Sequence, residues 1–312
     1  MKILVTGGLG HIGSQLIREF PSLLPKTDIV IIDNLSTQRY CSLFSLPENG
    51  KYRFLEKDVL TCDLDALLSD VDVVIHLAAI TDAASSFDNK DKVELVNYDS
   101  TERIARACVR QKTAMIFLST TSVYGTQADV VDENCSVEEL QPQSPYAESK
   151  LKAELMLKEL SKTEGLQFVA LRFGTIFGIS AGMRFHTAVN KFVWQACMGK
   201  PITVWRTAMD QKRPYLDLGD AVRALAFVIR NGHFDTETYN VLTINATVRE
   251  ILDAITPHVT DVEVELVDTR IMNQLSYNVS RKKFESLGFS FEGGLAQGVA
   301  QSIALLRRAR SF

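Results

Sequence analysis

No stretch of this chain approaches the ~18–20 consecutive apolar residues that span a bilayer, so the sequence predicts no membrane-spanning helix. Cysteine is sparse and scattered: Cys41, Cys62, Cys108, Cys135 and Cys197 form no Cys-x-x-Cys pair. That argues against a zinc site and a disulfide framework, and for reduced thiols in a cytoplasmic protein. The five histidines, His11, His76, His186, His233 and His258, show no metal-ligand spacing, so no metal is expected. Basic charge is not in excess. The net charge of −4 gives no electrostatic footprint for nucleic acid or an anionic membrane. Tandem repeats and low-complexity tracts are also missing. Lys2-Ile3-Leu4-Val5 runs straight into a glycine turn, which reads as a first strand rather than a signal peptide. What is present is ordinary globular composition, 46% hydrophobic and 23% charged over 312 residues, enough for a large α/β core.

Ile3-Leu4-Val5 ends in Thr6-Gly7-Gly8-Leu9-Gly10-His11-Ile12-Gly13-Ser14, read as a buried strand, a glycine turn and a helix to about Phe20. Glycines at 7, 8, 10 and 13 let backbone approach a pyrophosphate, and the helix N-terminus offers free N–H groups and a positive dipole end. The strand at 28–32 leads to Asp33, twenty positions after Gly13, where a carboxylate can hold the adenosine ribose of NAD or simply cap a turn. Further strands are expected at 52–55, 71–79, 114–118 and 168–171, and a helix from Lys92 to Arg110. His76, among apolar neighbours, reads as a hydrogen-bonded structural histidine. The hydroxyl run Ser119-Thr120-Thr121-Ser122 lies at a strand's C-terminal end, where open α/β sheets bind ligands, though hydroxyls also cap turns.

Ser144-Pro145-Tyr146-Ala147-Glu148-Ser149-Lys150 reads as a helix start, with a serine cap and proline in the first turn. Tyr146 and Lys150 share a helix face. An ammonium close to a phenol favours the phenolate, which is useful for moving a proton; the same pair also occurs on solvated helices. Lys152, Glu154, Lys158, Glu159 and Lys162 read as the solvated side of this helix. Strand–helix alternation to about residue 173 implies a doubly wound parallel sheet. The pattern then changes: helices at 185–198, 221–230 and 295–310, and strands at 203–205 and 262–267.

Taken together, these residues resemble an extended short-chain dehydrogenase/reductase of the NAD-dependent nucleotide-sugar epimerase/dehydratase family, similar to UDP-glucose 4-epimerases. The resemblance rests on Thr6 to Gly13, Asp33-Asn34-Leu35-Ser36, Asp58-Val59, His76-Leu77-Ala78-Ala79, Asn97, Thr120 with Val123-Tyr124-Gly125, Tyr146-x-x-x-Lys150, and Arg213-Pro214-Tyr215. It implies a Rossmann-type α/β domain over 1–173, completed by about 214–242. A smaller mixed α/β substrate lobe would comprise 174–213 and 243–312. It implies bound NAD held by Gly7, Gly10 and the N–H groups of His11 and Ile12. Asp33, Asn34, Asp58, Val59, Leu77, Ala78, Ala79 and Asn97 would complete the cofactor site, with Tyr146 and Lys150 at the nicotinamide end. Tyr146, Lys150 and Thr120 would be catalytic. Thr120, Ser122, Asn190 and Arg213 would face a nucleotide-diphosphate sugar, and the chain would pair as a homodimer. Family dehydratases carry Asp-Glu directly after the catalytic threonine; here Thr121-Ser122 stands there. The implied activity is therefore epimerisation through a keto sugar, most simply at C4. The stretch Phe177 to Phe185 resembles a branch that includes enzymes oxidising C4 of GDP-heptoses, so the alternative is a 4-dehydrogenase that releases the keto sugar. A dehydratase or a non-catalytic NAD-binding relative is a lesser alternative.

Overall fold

The structure, a computed structural model, describes residues 1–125, 130–268 and 276–309. Seven parallel strands form its main sheet, in the order β11-β7-β5-β4-β1-β2-β3. In chain order these are β1 (Lys2–Thr6), β2 (Asp28–Asp33), β3 (Lys51–Glu56), β4 (Val73–His76), β5 (Ala114–Thr120), β7 (Phe168–Phe173) and β11 (Thr238–Val241), with a short β6 (Val130–Val131) outside the sheet. Strands of this sheet are apolar at nearly every position because helices cover both faces. Alternate residues of β1 show the division. Ile3 and Val5 pack with Leu16, Ile17 and Phe20 of α1 (His11–Leu23), while Leu4 packs on the opposite face.

On that opposite face lie α2 (Leu64–Leu68), α3 (Lys90–Glu94), α4 (Ser100–Gln111) and α5 (Pro145–Glu164). The expected single helix over 92–110 is interrupted by a π-helical turn at Leu95–Asp99, a local widening often found near functional groups. Val93 and Ile104, compatible in sequence with either a core or a dimer face, are buried core residues. α5 begins as the sequence predicts. Ser144 Oγ accepts from the Ala147 N–H at 3.2 Å, Pro145 occupies the first turn, and Gly165 ends the helix at φ +75°.

After β7 the chain leaves the main sheet for β8 (Thr175–Phe177), α6 (Ala188–Cys197), β9 (Ile202–Trp205) and β10 (Arg213–Asp217). It then makes α7 (Leu218–Asn231) and the returning edge strand β11, which pairs with β7 from Thr238↔Ala170 to Val241↔Phe173. β12 (Ile244–Ala246), α8 (Val248–Ile255), β13 (Val264–Val267), β14 (Asn278–Val279), α9 (Lys282–Glu285) and α10 (Leu295–Leu306) follow. The expected helix end at Arg310 lies outside the described residues. α6, α8 and α10 enclose a separate apolar core with β9, containing Val193, Ile202, Ile251 and Val299. Rossmann-type sheet and smaller mixed lobe are thus both present. Among the described residues no helix is long and apolar enough to cross a membrane.

Candidate active site

Parallel register brings the C-terminal ends of β1, β2, β4 and β5 to one edge: Thr6 pairs with Ile32 and His76, and His76 with Phe117. The glycine turn lies along this edge. Gly7 has φ +63°, and a Cβ there would come within 2.7 Å of the Ala78 backbone, so turn and β4 end are flush. Gly10 precedes α1 and no side chain caps it, leaving the first-turn N–H groups of His11 and Ile12 facing an open helix end. At the next strand end Asp33 is half-buried, its Oδ2 accepting from the Leu9 N–H at 3.1 Å and Oδ1 from Leu35 N–H at 2.9 Å. Turn-capping and ligand-facing readings of Asp33 therefore coexist. Asn34 Nδ2 donates to Asp58 Oδ2 at 2.9 Å, so two residues expected at the adenosine end meet, with buried Val59 beside them. Leu77, Ala78 and Ala79 are half-buried and continue the surface. This cradle, too tight for side chains at its floor, fits a dinucleotide.

His76 is structural, as its neighbours imply. Thr101 Oγ1 spends its hydrogen on Asn97 O at 2.6 Å, so it accepts from His76 Nε2 at 3.0 Å. Nδ1 is then the acceptor for Thr6 Oγ1 at 2.7 Å. Burial, aided by the Lys150 charge, pushes the ring down to about 3, so it is neutral. Asn97 is fully buried: Oδ1 accepts from Ile80 N–H at 2.8 Å, and Nδ2 donates to Ile80 O at 2.9 Å and Ser149 Oγ at 3.1 Å. It latches the segment after β4 onto α5.

Thr120 ends β5, 6% exposed, with its hydroxyl near enough to the Tyr146 phenol of α5 to favour the phenolate. Ser119 beside it is buried, its hydroxyl without a hydrogen-bond partner among the described residues. Tyr146 is half-buried. Burial raises its phenol above the ordinary value; the Thr120 hydroxyl and the Arg184 charge oppose that rise. Lys150 is 3% exposed, its Nζ 4.7 Å from the centre of the Phe117 ring, and burial pushes it down to about 7. Thr121 Oγ1 is spent on Phe173 O at 3.3 Å, and the Ser122 N–H donates to Thr120 Oγ1 at 3.1 Å. Neither position supplies a carboxylate.

Arg184 was not singled out from sequence. It sits on the segment between β8 and α6 that folds over the glycine turn. His11 is held neutral by burial, at about 4, and its Nε2 donates to Gly178 O at 2.9 Å. Ser180 Oγ donates to His11 O at 2.9 Å, and the Gly182 N–H to Ser14 Oγ at 2.9 Å. Asn190 is fully buried under this segment, accepting from Gly178 N–H at 3.3 Å and donating to Arg184 O at 2.9 Å. Arg184 itself donates to Thr81 Oγ1. A lone cation in a Gly/Ser stretch was the signal available. Across the site, Arg213 starts β10, with its guanidinium 5.5 Å from the Tyr277 ring and Nη2 donating to Gln211 Oε1 at 3.2 Å.

One sequence reading is overturned. Glu154 is not on a solvated face; it is 1% exposed and paired with Arg172 of β7 at 2.7 Å. An arginine inside an apolar strand needs a buried acid, and Glu154 is that acid.

Residues 3–241 match the NAD dependent epimerase/dehydratase family. An uncharacterized UDP-glucose epimerase of Bacillus subtilis (strain 168) is 33% identical over 249 residues, 77% of this chain and 76% of the relative. A trifunctional UDP-glucose 4,6-dehydratase/UDP-4-keto-6-deoxy-D-glucose 3,5-epimerase/UDP-4-keto-L-rhamnose-reductase of Arabidopsis thaliana is 26% identical, with 97% of this chain matched to 46% of the relative. Among solved structures, a mutant UDP-glucuronic acid 4-epimerase from Bacillus cereus, in complex with UDP-4-deoxy-4-fluoro-glucuronic acid and NAD, superposes with a TM-score of 0.91. It is 25% identical and covers 99% of this chain and 100% of its own.

Proposed function

The chain belongs to the NAD dependent epimerase/dehydratase family, and on that premise we propose that it is a nucleotide-sugar 4-epimerase. The observation that carries this reading is the approach of Thr120 to Tyr146, with Lys150 buried one turn along the same helix and Thr121 and Ser122 in place of acids. NAD, the family's cofactor, would supply a reversible hydride acceptor for the hydrogen on sugar C4. Gly7, Gly10 and the His11 and Ile12 N–H groups would hold its phosphates, and Asp33 with Asn34 its adenosine ribose.

Tyr146 Oη, as phenolate, takes the proton of the sugar hydroxyl, and Thr120 Oγ1 orients that hydroxyl. Burial works against the phenolate, so positive charge must support it; the Arg184 charge does so, and Lys150, four residues along the helix, is proposed to add to it. Arg213 grips the sugar nucleotide through its diphosphate, a task suited to a guanidinium fork. The ring is then free to present either face before the hydride and proton return. Ser122 and the loop held by Asn190 border the sugar. A dehydratase would need an acid to expel water from the sugar, and the two positions after Thr120 lack one.

Incubation with a panel of UDP-, GDP-, CDP- and dTDP-sugars, followed by mass-resolved chromatography, tests the reading. A new peak of unchanged mass is expected. A product lighter by two hydrogens would replace epimerase by dehydrogenase, and one lighter by water would replace it by dehydratase.

We propose a reducing, cytoplasmic compartment, in keeping with sparse, scattered cysteines that make no Cys-x-x-Cys pair. It is also taken to be a homodimer. Leu95 and Leu155, 46% and 45% exposed near and on α5, offer an apolar face. Leu155→Glu is expected to leave a monomer by light scattering; a monomeric parent protein would refute the pairing.

A further inference from the structure

A buried carboxylate stands one turn behind Lys150. Residues four apart on a helix share a face, with Cβ atoms about 6 Å apart, so Lys150 and Glu154 are neighbours on α5. That face is turned inward: Ala153 and Leu157 on it are fully buried. Arg172 grips Glu154 with two nitrogens, Nε to Oε1 at 3.0 Å and Nη2 to Oε2 at 2.7 Å. Its third, Nη1, donates to Tyr124 Oη at 2.9 Å, and Tyr124 Oη donates to Asn240 Oδ1 at 2.9 Å. Asn240 is anchored in turn, Nδ2 to Ser280 O at 3.1 Å and its N–H to Glu133 Oε1 at 2.6 Å. The carboxylate is thus fixed from β7, from the segment after β5 and from β11.

A buried ion pair is weak evidence for stability, because desolvation offsets the attraction. This one does more than balance itself, since the carboxylate that Arg172 grips also acts through space on a second buried cation, Lys150. The charged and titratable groups facing Lys150 can be named element by element. Tyr146 and Glu154 are on its own helix, neutral His76 on β4, Arg172 on β7, and Arg184 lies on the Tyr146 side; β5 contributes only the Phe117 ring. Among these, Glu154 is the anion.

We infer that Glu154 is a positioning residue: fixed by Arg172, its carboxylate sustains Lys150 as an ammonium across one helical turn and so keeps that charge available to Tyr146. The catalytic half of this rests on the proposed roles of Tyr146 and Lys150; the electrostatic half does not. Burial drives Lys150 from 10.5 to about 7, and the Glu154 charge resists that fall. A lysine whose folded value lies below its unfolded value costs stability as pH falls toward the folded value, and costs no more below it. Without Glu154 the folded value drops further, so the loss continues below about pH 7.

The test uses four proteins: the parent, Glu154→Gln, Lys150→Met and the double variant, melted from about pH 5 to about pH 9. The gap between parent and Glu154→Gln is expected to widen as pH falls through about 7, and the widening to vanish in the Lys150→Met background. A gap independent of pH, or the same widening without Lys150, overturns the inference. Should Glu154→Gln fail to fold, Glu154→Asp draws the carboxylate back by one methylene and should show the same pH-dependent gap; a flat gap refutes. In turnover, loss of the Lys150 proton sets the alkaline limb, which Glu154→Gln should move down by about one pH unit or more. Tyr124→Phe, which loosens the network but keeps the carboxylate, should leave that limb in place. A Glu154→Gln profile merely scaled down overturns the positioning role. If the parent turns over no nucleotide sugar, the proposed function fails, and the melting cycle still decides on Glu154.

Discussion

Replacing Tyr146 by phenylalanine is expected to slow turnover ~10²–10⁴-fold, the usual worth of a general acid–base group, while NAD stays bound. The two effects separate because the residues belong to different elements. The proposed cofactor cradle is built by the glycine turn and the ends of β1, β2 and β4, whereas Tyr146 is in the first turn of α5. The substitution removes only the hydroxyl. Ser144 still caps α5 and the ring keeps its half-buried place, so the fold should be unchanged. What is lost is the hydroxyl beside Thr120, whose ionised form the Arg184 charge favours. Turnover and cofactor content, measured on one preparation, check this. Near-parent turnover would remove Tyr146 from the mechanism, and loss of NAD would show that its role is structural.

Gly13→Ala is expected to do the reverse, emptying the cofactor site and weakening the fold. A Cβ at residue 13 would stand 2.6 Å from the Gly8 Cα and oxygen, backbone that has nowhere to go because β1 and α1 are both packed against it. Strain of this kind costs ~1–3 kcal/mol when absorbed by a packed core. Relief requires α1 to lift from the turn, and with it the N–H groups aimed at the phosphates. Gly165→Ala is the contrast. Gly165 is left-handed at φ +75° but nothing lies within 4 Å of an added Cβ, so the cost is ~1–2 kcal/mol of local backbone strain with the cofactor unaffected. Melting temperature and NAD content of the two variants test the distinction. Equal NAD retention in both would contradict the cradle.

Six of the seven main-sheet strands were legible because they announce themselves as short runs between turn residues, and Ser144-Pro145 and the glycine turn have local signals of their own; β11, only four residues long, was not expected as a strand. His76 was also legible, since a histidine in an apolar strand must find partners. Other features depend on contacts between distant segments. Glu154 and Arg172 are 18 residues apart and each looks ordinary alone; only the register of α5 on β7 makes them a buried pair. Arg184 reaches the Tyr146 side because the Gly178–Arg184 segment hooks onto His11 and Ser14, more than 160 residues earlier. No periodicity encodes such a crossing. The π-helical turn around Asn97 escaped for a similar reason: its amide is held by Ile80 and Ser149, neither of them a helical neighbour.

The central claim is that a carbon-bound hydrogen leaves the sugar as hydride and comes back. A nucleotide sugar deuterated at C4, incubated with the NAD-loaded protein in ordinary water, tests it most directly. The account predicts that both epimers carry the full deuterium label. Loss of label to solvent would mean that the hydrogen moves as a proton, and would contradict the mechanism.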